Sequence, residues 1–299
     1  MKIIFSVVAV LFSVLVQAQS VVLLGDTGKD NDGQQAVAQA IGGRCQQETC
    51  DLGFLLGDNV YPEGIDRPDD PKMEQAFGKY YRFLNFSFQV VLGNHDYGKQ
   101  SNDWTKGTQE VGYSRINPQF ILPSEFYGFE TANAVVAAID TTRLMWNKDY
   151  SKQADLVKTQ FERARQTGKW FLVIGHHPYI SNGQHGNAGN YDGLPFPSMV
   201  SGRDVKKFFQ ENICGRADFY ISGHDHNLQV LDGNQQKCSL IQIVSGAGAT
   251  VEGWREKNQQ LFGVLTEGFM IARIQPQIFE LEVYSSQGTS LFKKDFYKK

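Results

Sequence analysis

The chain of 299 residues predicts an α/β fold built around a mixed sheet. Two patterns carry the prediction: short apolar runs that each stop at a glycine and a polar residue, and amphipathic helical segments between them. A late stretch of strand-like runs with little helix adds antiparallel pairing to that sheet.

Six runs show the first pattern. Residues 21–24 precede Gly25-Asp26, residues 54–56 precede Gly57-Asp58, and residues 89–92 precede Gly93-Asn94-His95. Residues 170–174 precede Gly175-His176, residues 219–222 precede Gly223-His224, and residues 240–245 precede Gly246-Ala247-Gly248. Apolar runs bounded by turn residues read as buried strands. Helical spacing covers residues 34–41, which follow acidic capping residues, and residues 73–84, with Met73, Phe77, Tyr80, Tyr81 and Leu84 on one face. It recurs over residues 152–166 and 204–213, through Val157, Phe161 and Ala164, then Val205, Phe208 and Phe209. Residues 134–139, 269–274 and 278–284 complete the predicted strands. The lysine-rich residues 293–299 read as a solvated strand and terminus, and residues 254–260 as a polar rim loop.

With 41% hydrophobic and 20% charged residues, and neither a repeat nor a low-complexity tract, the chain reads as globular. Twenty-nine basic and 32 acidic side chains leave a net charge of −3, so no cationic surface suits a nucleic acid. Lys2, the apolar residues 3–16 and Val16-Gln17-Ala18 have the form of a signal peptide, with cleavage expected after Ala18. The apolar stretch falls short of the ~20 residues that a membrane span needs, and an uncleaved anchor is the rival reading. The expected product is secreted or periplasmic, with no membrane partner after cleavage, a monomer, and one domain over residues 19–299. Export makes Cys45, Cys50, Cys214 and Cys238 disulfide candidates. Three pairings are open, of which Cys45–Cys50 with Cys214–Cys238 keeps both loops short.

The polar residues at the strand ends are of one kind: Asp26, Asp58, Tyr61, Asn94, His95, His176, His224 and His226. Ligands of open α/β sheets gather at the carboxyl ends of strands, so these side chains can converge although they are distant in sequence. Carboxylate, imidazole, amide and phenol make a nitrogen and oxygen donor set suited to transition metals. The set is too large for one tetrahedral ion. Two ions sharing a carboxylate use it fully.

Five ordered blocks stand at these positions: Gly25-Asp26-Thr27-Gly28, Gly57-Asp58-Asn59-Val60-Tyr61, Gly93-Asn94-His95-Asp96, Gly175-His176-His177-Pro178 and Gly223-His224-Asp225-His226-Asn227. Together they resemble the purple acid phosphatases, especially the tartrate-resistant acid phosphatase type, within the calcineurin-like metallophosphoesterases. The resemblance runs from about Val21 through Ser245-Gly246-Ala247-Gly248 to the closing Gly288-Thr289-Ser290-Leu291-Phe292-Lys293. It implies a four-layer α/β/β/α sandwich of two mixed sheets flanked by helices. It also implies Fe(3+) on Asp26, Tyr61 and His226, and Fe(2+), Zn(2+) or Mn(2+) on Asn94, His176 and His224, with Asp58 bridging the two metal ions. The wider superfamily has an aspartate–x–histidine first block, whereas Gly28 stands here and Tyr61 takes the missing ligand's place.

The implied activity is acid hydrolysis of small-molecule phosphate monoesters, phosphopeptides included, in which a metal-bound hydroxide attacks phosphorus. His95 would protonate the leaving group, and His185, nine residues after His176, would bind phosphate. His177 is expected as an exposed neighbour at the mouth, and Asp225 and Asn227 as partners that orient the adjacent histidines. Residues 141–153 are shorter than the protease-sensitive loop of the mammalian members, which implies activity without nicking. Two readings compete: a phosphodiesterase or nucleotide hydrolase on the same scaffold, and an iron-dependent redox protein of peroxide chemistry. The second leaves His95 and His185, which bind no metal, without a purpose.

Overall fold

A computed structural model describes residues 18–298 of the protein, so the expected signal segment, apart from Ala18, lies outside the described residues. The first sheet begins with β1 (Gln19–Leu24), β2 (Leu52–Leu56), β3 (Phe88–Val91) and β4 (Phe120–Ile121), all parallel. The chain then builds a second sheet from β5 (Tyr127–Glu130), β6 (Ala134–Ala138), β7 (Trp170–Ile174), β8 (Phe219–Ser222), β9 (Leu228–Asp232), β10 (Ile241–Ser245) and β11 (Gln260–Val264). It returns to the first sheet as the antiparallel β12 (Gly268–Ile274), β13 (Ile278–Ser285) and β14 (Ser290–Tyr297). Each sheet has seven strands, ordered β14-β13-β12-β1-β2-β3-β4 and β11-β9-β10-β8-β7-β6-β5. Both are mixed, as expected.

Strand periodicity explains why the sheets stack. In β6 and β7 the residues Val136, Ala138, Leu172 and Ile174 face the core shared by the sheets, while Val135, Ala137, Phe171 and Val173 face the outer helices. Such strands are apolar on both sides, which is why they read as continuous runs rather than alternating ones. The Phe219 and Phe279 rings stack across the core with centroids 3.9 Å apart. Polar groups also lock the layers: Ser245 Oγ donates to Leu23 O at 2.9 Å, and Trp170 Nε1 donates to Gln275 O at 2.7 Å.

Helices cover the outer faces. Asp32–Gln47 starts at Asn31, whose side chain accepts the Gln34 N–H at 2.9 Å, and Tyr150–Thr167 ends at Gly168 in the left-handed region. The stretch expected to be helical over residues 73–84 is helical over Glu74–Gly78 and Lys79–Tyr81. The helix over Trp104–Ser114 has no clear signal in the sequence, because its residues carry few apolar side chains and two glycines. Disulfides join Cys45 to Cys50 and Cys214 to Cys238, the pairing with the shortest loops. No helix among the described residues is long and apolar enough to cross a membrane.

Residues 141–153, expected to form a short segment, fold as the helix Thr141–Met145 and the start of the next helix. Asp140 caps the first of these by accepting the Arg143 N–H at 2.9 Å, and it accepts the Tyr97 hydroxyl. Burial raises the Asp140 carboxyl to about 7, despite the bonds that favour its ionised form. The folded state therefore binds this proton more tightly than the unfolded chain does. The resulting stability is complete below the ordinary carboxylate pKa and is lost as pH rises through about 7. Calorimetric Tm between pH 4 and 7 is expected to fall less steeply with pH in Asp140→Asn than in the wild type; equal slopes would remove this assignment.

Candidate metal centre

The loops after β1, β2, β3, β7 and β8 bring their polar side chains together where the parallel strands of both sheets end. Asp26, Asp58 and His224 all take left-handed backbone angles, with φ of 59°, 54° and 70°. Such angles cost non-glycine residues about 1–3 kcal/mol each and persist only where the surroundings fix them. Here they turn the side chains inward immediately after a strand. Close approach also needs glycine: a Cβ on Gly93 would overlap the Asp58 carboxylate, and one on Gly223 would overlap that of Asp26.

Two groups of donors result. In the first, the Tyr61 hydroxyl lies 2.8 Å from Asp58 Oδ2, 3.4 Å from Asp26 Oδ1 and 3.1 Å from His226 Nε2. His226 Nδ1 faces Thr250 Oγ1 at 3.0 Å and Glu252 Oε1 at 3.4 Å, so this nitrogen carries the proton and Nε2 is a bare lone pair in the neutral ring. With the ring neutral, one phenolic proton is left among three acceptors. Burial lowers the His226 pKa, but the Asp26 bond and the Asp26 and Glu252 charges outweigh it and raise it, so the group draws positive charge. In the second, His176 Nδ1 donates to Leu56 O at 2.8 Å, which leaves its Nε2 facing Asn94 Oδ1 at 3.0 Å, His224 Nδ1 at 3.2 Å and Asp58 Oδ1 at 3.4 Å. Asp58 thus turns one oxygen to each group. Buried lone pairs that face one another without protons repel, and a cation in each group removes that repulsion. The donor set fits two metal ions.

Electrostatics agree with the geometry. Burial would raise the Asp58 carboxyl, but the His176 and His95 imidazoles and the His95 N–H hold it at about 2. Burial and the Asp58 and Asp26 charges push the Tyr61 phenol well above its usual 10, so only a strong Lewis acid makes it a phenolate. Burial, then the charges of His185 and His177, keep His224 neutral far below the usual imidazole range, as a ligand requires.

His95 and His185 flank the donors. His95 Nδ1 bonds Pro62 O at 2.7 Å, its ring lies 4.3 Å from that of Tyr61, and its Nε2 is 3.9 Å from Asp58 Oδ2. The His185 ring stacks on His224 at 4.1 Å, with Nδ1 2.7 Å from Asp192 Oδ1 and Nε2 3.7 Å from Glu252 Oε2. Burial lowers the His185 pKa, but the Asp192 bond and the Asp225, Asp192 and Glu252 charges outweigh it and raise the group to about 9. All six histidines of the chain are gathered in this region.

Two expectations need correction. His177 is not an exposed residue at the mouth: it is 2% exposed, its ring lies 4.3 Å from that of His224, and its Nδ1 meets Thr141 Oγ1 at 2.8 Å. The start of the Thr141–Met145 helix covers it. Asp225 and Asn227 do not hold the neighbouring imidazoles either. Asp225 accepts the backbone N–H groups of His185 at 2.7 Å and Gly186 at 3.3 Å, which pins the His185 loop, and Asn227 accepts from Gln229.

Sequence reasoning gave no role to Asp96, Glu110, Thr250 or Glu252. The buried Asp96 carboxylate accepts backbone N–H groups from Asn59 at 2.9 Å, Val60 at 3.1 Å and Gly93 at 2.7 Å, tying the β2 loop to the β3 loop. Asn59 Nδ2 joins Asp96 to Glu110, whose carboxyl is kept protonated by burial and by the Asp96 charge. The only signal for Asp96 was its place in the Gly93-Asn94-His95-Asp96 block; Glu110, Thr250 and Glu252 lie outside every motif.

The family profile described as calcineurin-like phosphoesterase matches residues 20–228. The chain belongs to that family. Membership, with the donor groups above, makes it a metal-dependent phosphoesterase. Curated relatives include purple acid phosphatase 4 of Arabidopsis thaliana, 26% identical over 93% of this chain and 84% of its own length. Tartrate-resistant acid phosphatase type 5 of Sus scrofa is 26% identical over 87% of this chain and 79% of its own. Among solved structures, GAP50, the anchor in the inner membrane complex of Plasmodium, has a TM-score of 0.74 at 20% identity, covering 95% of this chain and 90% of its own. PhoD has a TM-score of 0.55 at 12% identity, covering 94% of this chain and 68% of its own. These two likenesses are of fold, and they accord with the sandwich of two mixed sheets flanked by helices.

Because Asp96 holds the two donor-bearing loops in register, Asp96→Asn should place an amide N–H against backbone N–H groups. A fall in metal affinity of roughly 10–100-fold is expected, read as metal retained after equilibration with a graded series of chelators. Unchanged retention in a folded variant would contradict the role.

Proposed function

We propose that the protein is an exported acid phosphatase that hydrolyses phosphate monoesters at a dinuclear centre. The observation that carries this reading is Asp58, which offers one oxygen to each of two crowded donor groups. Asp26, Tyr61 and His226 would hold a ferric ion, and Asn94, His176 and His224 an iron(II), zinc or manganese ion. Bound there, two cations supply an activated water and neutralise charge on the phosphoryl oxygens.

The remaining tasks fall to the chain's own groups. His95 is the proton donor to the departing alkoxide: its Nδ1 is fixed by Pro62 O, and its half-exposed ring can be reprotonated from solvent. His185, held by Asp192 and stacked on His224, binds a phosphate oxygen. His176 and His226 keep the tautomers that ligation needs through Leu56 O on one ring and Thr250 and Glu252 on the other. In this reading residues 1–18 direct export and are removed, and residues 19–299 act as one catalytic domain and as a monomer. The substrates are small phosphate monoesters, phosphopeptides included.

At acid pH, kcat/KM for an aryl phosphate should exceed that for the corresponding bis-aryl phosphate; the reverse order would assign the protein to diesters. His95→Ala should lower kcat by roughly 10²–10⁴-fold. The oxidised, iron-loaded protein should be violet through a Tyr61 phenolate-to-iron transition that Tyr61→Phe abolishes. A colourless iron-loaded wild type would rule out the Tyr61 ligand.

A further inference from the structure

A cavity of about 410 Å³ opens off the His224 side of the centre, with Asn94, His185 and His224 in its wall. Its size lies near the lower end for small-molecule sites. The rest of its lining has a distinct chemistry. Met145 and Trp146, at the end of the Thr141–Met145 helix, and Met199 give it an apolar, polarisable side. The Trp146 ring meets Trp104 edge-on, with centroids 6.2 Å apart and planes at 80°, which fixes its orientation. Flat aromatic groups pack well against indole and thioether.

One charged group of the cavity is unpaired. Lys99 stands exposed in the lining and enters no hydrogen bond or ion pair among the described residues. The acid in the same lining, Asp192, is already engaged by His185 at 2.7 Å. The cavity therefore presents an unpaired cation beside an apolar slot.

We infer that this cavity holds the alcohol part of the phosphoester and selects flat, aromatic alcohols bearing a second negative charge, such as a carboxylate. The inference rests on the phosphatase reading above and specifies its substrate class. The aromatic body lies against Trp146 and Met199, and Lys99 meets the anion.

The test compares three monoesters on the metal-loaded protein: glycerol 2-phosphate, phenyl phosphate and 4-carboxyphenyl phosphate. Trp146→Ala should lower the ratio of kcat/KM for phenyl phosphate over glycerol 2-phosphate by about tenfold, and Trp146→Phe should restore most of it. Lys99→Ala should lower the ratio for 4-carboxyphenyl over phenyl phosphate by about fivefold, with Lys99→Arg restoring it. Calorimetric binding of 4-carboxybenzylphosphonate should weaken in the same order. Equal loss on all three monoesters, or phosphonate binding indifferent to both positions, would overturn the assignment while leaving the phosphatase reading intact. Position-dependent phosphonate binding without turnover of any monoester would support the cavity assignment and defeat the phosphatase reading.

Discussion

The structure depends on one electrostatic constraint: seven donor side chains, five of them buried, must face one another with few protons among them. Tyr61, Asp26 and His226 on one side, and Asn94, His176 and His224 on the other, aim lone pairs into shared spaces, with Asp58 between them. Without counter-charge this arrangement would be among the most costly in the molecule. With two cations it becomes a source of stability, because metal binding then contributes to folding.

The two-sheet sandwich makes the arrangement attainable. Parallel strands from both sheets end at one edge, so five loops distant in sequence deliver donor side chains to one place. The core between the sheets sets their spacing, and Ser245 and Trp170 pin it with side-chain bonds to the opposite sheet. Asp96 then fixes the relative height of the β2 and β3 loops to within hydrogen-bond tolerance. Rigidity is thus layered, from sheets to loops to side chains. The left-handed angles of Asp26, Asp58 and His224 are strained points that this scaffold holds in place.

Much of this was legible in the sequence because the site residues adjoin strong local signals. An apolar run followed by glycine and a polar residue marks both a buried strand and its exit toward a ligand, so β1, β2, β3, β7 and β8 declare the fold and the donors together. What escaped lacked such signals. β5 and β11 sit at sheet edges and are half-exposed, so their patterns are weak. The burial of His177 depends on a helix more than thirty residues earlier, and the anchoring role of Asp225 on a loop about forty residues away. Thr250 and Glu252 reach His226 from a segment with no regular structure, where no periodicity reports orientation. Contacts of this kind arise only once the chain is folded.

Anomalous diffraction from crystals of the iron-loaded protein, recorded on both sides of the iron edge, measures the central claim directly. The account predicts two scattering centres about 3.5–4 Å apart, one among Asp26, Tyr61 and His226 and one among Asn94, His176 and His224, with Asp58 touching both. A single centre, or metal bound away from Asp58, would contradict it.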